Sequence, residues 1–112
     1  MQQITNEQMQ QMLATAKAYS FVTLKTVEGV NAEAAQPIIW EHARRNFSLR
    51  ADGVLSIVAP VTEERNIAGI YIFNAGKEKV EEILKEDPAV KAGIFTYEIF
   101  PIMSFPGDSL PS

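Results

Sequence analysis

The chain has a single histidine, His42 in "WEHARRN", and an aspartate set directly before a proline, Asp87 in "LKEDPAV". Imidazole takes and gives protons near neutral pH, but as a base it must be oriented, and its cation balanced, by an acceptor. Asp87 is a candidate acceptor, because both residues belong to helices expected on one face of a sheet. Arg45, one turn from His42, is a candidate for holding a substrate carboxylate. Each also has an ordinary explanation. His42 lies at the edge of an apolar stripe, between Ile38 and Ile39 on one side and Arg45 and Asn46 on the other. Asp87 stands where Pro88 disfavours helical angles in the preceding residue. Arg45 also reads, and more simply, as an exposed arginine beside Glu41.

Other chemistries lack their residues. One histidine and no cysteine, without HExxH or clustered carboxylates, cannot build an ordinary zinc site. No GxGxxG or GxxxxGK[ST] pattern is present, so no metal or cofactor is expected. Gly69 in "IAGIY" reads as a close packing contact inside a strand. Ser48, Ser56 and Thr62 have no activating neighbours. Trp40 and the other aromatic residues fall at core or interface spacings.

The net charge is −4, and the ten Lys and Arg residues are dispersed; Arg44, Arg45 and Arg50 alternate with Glu41 and Asp52. That is no phosphate-binding patch, and nucleic acid is not an expected partner. No apolar run approaches the roughly 18–20 residues of a bilayer span, so no membrane partner is expected either. The stretch "MQQITNEQMQQM" has neither the basic nor the apolar region of a secretory signal. Together with the missing cysteines, this makes a reducing, cytoplasmic location the expectation. At 112 residues, with 46% hydrophobic and 21% charged, the chain reads as one globular domain.

The elements that would position His42 and Asp87 follow from periodicity. Thr5-x-x-Gln8 has capping-box spacing, and Met9, Met12, Leu13 and Ala16 recur at helical steps, predicting a first helix to about Ala18. "YSFVTLKTV" alternates as a strand that Gly29 ends. Pro37 fits the first turn of a second helix that bears His42 and closes at Asp52-Gly53. "VLSIVAP" is a short strand ended by Pro60, "VTEERN" a polar turn, and "IAGIYIFN" a buried strand. A third helix spans Lys77 to Lys85, with Lys77/Glu81 and Glu81/Lys85 pairs on its outer face. A connector through Gly93 leads to the strand "IFTYEIFPIM", and residues 104–112 form an irregular tail.

Leaving the first helix aside, the order is βαββαβ, a ferredoxin-like α+β domain whose antiparallel sheet carries both helices on one face. Strands as apolar as those bearing Val22, Leu24, Ile70 and Ile72 cannot leave the other face in water. Either the extra N-terminal helix or a second subunit must cover it, and a homodimer is favoured.

"GIYIF" with a charged helix after it, then "DPAVKAGIFTYEIFP", resembles the end of the YciI-like (YCII-related) family. "WEHARRNFSLRADGVLSIVAP" is similar to that family's histidine-bearing helix and the strand following it. The resemblance runs from about Phe21 to Met103 and implies a dimeric α+β barrel fold. It also implies a histidine–aspartate pair in a pocket, at His42 and Asp87, with Ala59 and Pro60 beside the ligand. Family members commonly have Ala-Gly-Pro where this chain has Val58-Ala59-Pro60, so Ala59 is expected to narrow the approach to the backbone. One relative type is similar to a dehydrochlorinating lyase. The resulting expectation is a homodimeric enzyme using His42 and Asp87 for metal-free proton abstraction or elimination on a small organic acid. The alternatives are a non-catalytic ligand-binding or accessory module and, less favoured, a heme or flavin-free oxygenase of the related dimeric-barrel type, for which His42 is one potential axial ligand.

Overall fold

The computed structural model describes residues 1–63 and 66–112. Its elements run α1 (Asn6–Leu13), β1 (Lys17–Thr26), α2 (Ala32–Ala51), β2 (Leu55–Pro60), β3 (Ile67–Phe73), α3 (Lys77–Lys85), α4 (Pro88–Lys91) and β4 (Phe95–Ser104). All neighbouring strands are antiparallel in the order β2-β3-β1-β4. This is the ferredoxin-like arrangement, with each βαβ unit split by an inserted strand. Glu64 and Arg65 of the expected "VTEERN" turn lie outside the described residues.

The capping box at α1 has both arms: Gln8 N–H donates to Thr5 Oγ1 (3.1 Å) and Thr5 N–H to Gln8 Oε1 (2.9 Å). The helix nevertheless stops at Leu13 rather than near Ala18, because β1 begins at Lys17. Ten β1 residues pair with β4, from Lys17 opposite Ser104 to Thr26 opposite Phe95, and that ladder overrides helix propensity at Lys17 and Ala18. The tail accordingly becomes irregular after Ser104.

The second helix starts five residues before Pro37. Asn31 caps it, its Oδ1 accepting from Ala34 N–H at 3.1 Å, and the good helix formers of "AEAA" fill the first turn. Pro37 is therefore inside the helix, on a solvent-facing turn where water can satisfy the carbonyl left without an N–H partner. Asp52 and Gly53 (φ 78°) close α2 as expected. Glu81 on α3 is half-buried and accepts from Tyr97 Oη of β4 at 3.0 Å, so it faces the sheet rather than forming an outer row with Lys77 and Lys85.

Register separates the two faces. Val22 and Leu24 of β1, with Tyr71 and Phe73 of β3, are buried under the helices with Leu55, Val80, Leu84 and Phe95. Ile70 and Ile72, opposite Thr23 and Phe21, point the other way and are half-exposed. The four residues grouped as one excess thus belong to opposite faces. The uncovered face carries Phe21, Ile57, Ile70, Ile72, Phe100 and Ile102 beside Tyr19, Thr23, Ala59 and Glu98, with Phe21 and Phe100 rings 6.1 Å apart. The first helix does not cover it, since α1 buries none of its residues and leaves Met9, Met12 and Leu13 exposed. Trp40 and Phe47 are likewise exposed on α2 rather than in the core. Among the described residues no helix is long and apolar enough to cross a membrane.

Because α1 buries nothing, deleting residues 1–14 is expected to leave one cooperative unfolding transition. Stability should change by no more than about 0.5 kcal/mol, as for surface changes. A thermal melt that lost its cooperative step would place α1 in the core.

Candidate active site

The connector before β4 contains a short helix, α4, and Asp87 is its N-cap. Pro88 takes the first helical position, where a missing N–H leaves nothing unpaired. Asp87 Oδ2 accepts from the backbone N–H groups of Ala89 (2.9 Å) and Val90 (3.2 Å). Its other oxygen, Oδ1, lies 2.7 Å from His42 Nδ1. One carboxylate thus starts a helix and fixes an imidazole 45 residues away. Asp87 is 2% exposed and His42 7%, so the contact is shielded from water.

Burial on its own raises the carboxyl's pKa. The hydrogen bond from His42 and the attraction of its ring when protonated, then the Val90 and Ala89 N–H groups, outweigh burial and hold Asp87 below the usual range. An ionised Asp87 accepts only, so Nδ1 carries the hydrogen and Nε2 is left as the acceptor. Nε2 faces Tyr71 Oη at 3.0 Å and Asn46 Nδ2 at 3.3 Å, and Asn46 Nδ2 donates to Tyr71 Oη at 3.1 Å. Asn46 and Tyr71 are 6% and 3% exposed. Burial above all, with a smaller push from the Asp87 charge, raises the Tyr71 phenol to about 12 against the lowering effect of Asn46. No buried side-chain nitrogen or oxygen lacks a partner among the described residues.

His42, Asn46 and Tyr71 form one wall of a cavity of about 270 Å³. Its other lining is apolar, including Leu24, Val58, Pro60 and Phe95, and no cationic side chain among the described residues lines it. Gly69 also lines it, and a Cβ there would come within 3.3 Å of the Ala59 carbonyl, which fits its role as a close strand contact. A larger groove of about 600 Å³ lies between the C-terminal tail and the end of α2. It holds no buried ionisable group, whereas the smaller cavity is lined by the buried His42.

Of the residues singled out in the sequence, His42 and Pro60 line this cavity, and Asp87 does not line it but holds His42 from behind. Ala59 does not line it: its strand position pairs with Ile70, on the sheet's other face. Arg45 does not line it either. Its Nη1 donates to the Ile83 carbonyl in the last turn of α3 (2.8 Å) and lies 4.0 Å from Asp87 Oδ1, whereas Arg44 is the partner of Glu41. Arg45 therefore ties α2 to α3 behind the pair.

Asn46 and Tyr71 were not singled out as site residues. Asn46 had a readable signal, a polar residue four positions after His42 and hence on the same helix face. Tyr71 had none, because an aromatic residue in an apolar strand looks like core. No group of three or more His, Cys, Asp or Glu side chains assembles among the described residues.

Comparison with known proteins agrees with this architecture. A family model described as YCII-related domain matches residues 18–105. A search of curated proteins finds no match. One similar solved structure is 5-chloro-2-hydroxyhydroquinone dehydrochlorinase from Burkholderia phenoliruptrix AC1100 in complex with 2,5-dihydroxybenzoquinone. It superposes with a TM-score of 0.58 at 19% identity, covering 73% of this chain and 90% of that one. At that identity the likeness shows the fold.

The Asp87 carboxyl makes acid stability a test of the geometry. Its folded pKa lies below the ordinary 3.8, so its contribution is present above that value and fades as pH falls through the lower, folded one. Asp87→Asn keeps a good N-cap but has no such titration. Relative to the variant, the native protein should be more stable at neutral pH, and the gap should close below about pH 4. Urea unfolding midpoints measured across that range check it; a pH-independent gap would contradict the buried carboxylate.

Proposed function

The chain belongs to the YCII-related family, and from that membership we propose that it is an enzyme whose proton acceptor is His42, oriented by Asp87. The reaction is proton abstraction or elimination on a small hydroxylated ring. The observation that carries this reading is the buried 2.7 Å contact between Nδ1 and Oδ1, placed so that the opposite edge of the imidazole meets the cavity wall. Asp87 fixes the tautomer with Nε2 as acceptor and balances the charge when that nitrogen takes a proton.

The cavity narrows the substrate. A space of about 150 Å³ accepts benzene, so about 270 Å³ suits one substituted ring and not a larger ligand. A free carboxylate would find no cation among the described lining residues. An acidic ring hydroxyl meets Tyr71, Asn46 and His42 on the polar wall and apolar side chains elsewhere. The similar solved protein is named for removing hydrogen chloride from such a ring, and this supports the class without fixing the compound. A non-catalytic binding module is the second reading, favoured by the fact that Nε2 already has hydrogen-bond partners.

The functional unit we propose is a homodimer in which a second copy covers the open sheet face. Phe21, Ile57, Ile70, Ile72, Phe100 and Ile102 form a continuous apolar surface that α1 leaves bare. Such patches are uncommon on monomers. Sedimentation velocity at micromolar concentration should give a dimer, and Ile72→Glu should dissociate it; a monomeric native protein overturns the proposal.

The catalytic reading is tested with 5-chloro-2-hydroxyhydroquinone as probe substrate and chloride release as readout. His42→Ala should lower the rate by about 10²–10⁴, the usual contribution of a positioned acid–base group. Equal rates in native protein and variant would leave the binding-module reading standing.

A further inference from the structure

His42 has no idle nitrogen. Nδ1 is engaged by Asp87, and the one lone pair on Nε2 has two neighbours, Tyr71 Oη at 3.0 Å and Asn46 Nδ2 at 3.3 Å. The shorter contact takes the lone pair, so Tyr71 donates its hydroxyl hydrogen to Nε2. Asn46 donates in turn to Tyr71 Oη at 3.1 Å. A phenolic oxygen can accept twice, which leaves Oη one lone pair in a residue that lines the cavity. The hydrogen bonds therefore run in one direction, from Asn46 through Tyr71 and His42 to Asp87.

We infer that Tyr71 is the catalytic residue that touches the substrate, accepting its proton at Oη while passing its own phenolic hydrogen to His42 Nε2. This deepens the reading of His42 as proton acceptor and rests on it. In the step, the substrate's O–H or C–H bond breaks and an Oη–H bond forms; the original Tyr71 O–H bond breaks and an Nε2–H bond forms. The electron pair of the broken substrate bond stays on the substrate, available to expel a leaving group. The end state is a substrate anion, a neutral Tyr71, and an imidazolium against the Asp87 carboxylate. A free tyrosinate never accumulates, in keeping with a phenol pushed up to about 12. Asn46 is a positioning residue, holding Oη so that one lone pair points into the cavity.

A chromogenic phenol, para-nitrophenol, reads the transfer without turnover, because only its ionised form is yellow. Bound to the native protein at a pH where the free dye is mostly protonated, it should appear as phenolate. Tyr71→Phe should still bind the dye but cut the ionised fraction at least tenfold, and Asn46→Ala should lower that fraction with a smaller change in affinity. Full ionisation in Tyr71→Phe overturns the relay while keeping His42 as base, because the imidazole then reaches the dye directly. Full ionisation in His42→Ala, or no dye bound to the native protein at millimolar concentration, overturns the underlying reading and the relay with it. Should Tyr71→Phe not fold, native-sequence protein labelled with meta-fluorotyrosine decides: dye binding moves the Tyr71 fluorine resonance if Oη touches the ligand, and an unmoved resonance with dye bound overturns the contact.

Discussion

The site depends on one buried carboxylate with two attachments. Asp87 gives one oxygen to the first turn of α4 and the other to His42, and it is almost wholly removed from water. A buried ion without partners is strongly disfavoured, so each attachment depends on the other being made. If α4 unwound, the carboxylate would lose its N–H donors; if α2 shifted, it would lose the imidazole. Two helices from different βαβ units are therefore held in register by a single side chain. Arg45 reinforces the same junction, reaching from α2 to the end of α3 beside Asp87.

The arrangement answers why an acid precedes a proline at this seam. A helix stop needs only the proline, whereas here the acid begins a new helix. Pro88 keeps Asp87 in extended backbone geometry (φ −65°, ψ 131°), the conformation an N-cap requires. Local chain chemistry and the long-range pairing with His42 thus select the same residue, and the chemical reading and the ordinary reading of Asp87 describe two oxygens of one group.

Most of the fold was legible because strong local signals had no competitor. Lys77 to Lys85 forms α3 with the expected bounds, Pro60 ends β2, and Asp52-Gly53 closes α2. Errors fell where a long-range interaction decided. The β1–β4 ladder claimed Lys17 and Ala18 from the first helix, and the Asn31 cap began α2 ahead of a proline that looked like its start. α4 was hidden because four residues carry no periodicity. His42 and Asp87 stood out by type, while Asn46 and Tyr71 did not, since only the strand register and the α2 crossing bring amide, phenol and imidazole together. Arg45 was close in sequence to the right place and turned the wrong way for the cavity.

The edges of the sheet have a consequence for how the chain behaves in a crowd. Edge strands offer unpaired backbone groups to any extended segment, and long, flat ones invite polymerisation. Here β2 is six residues long and finishes in Pro60, and the opposite edge, β4, carries Pro101 in its second half, opposite Ser20. Neither edge presents an unbroken row of donors, because proline has none to give. The molecule can therefore expose a greasy sheet surface without inviting strand-by-strand growth, since further chains are turned away at the sides.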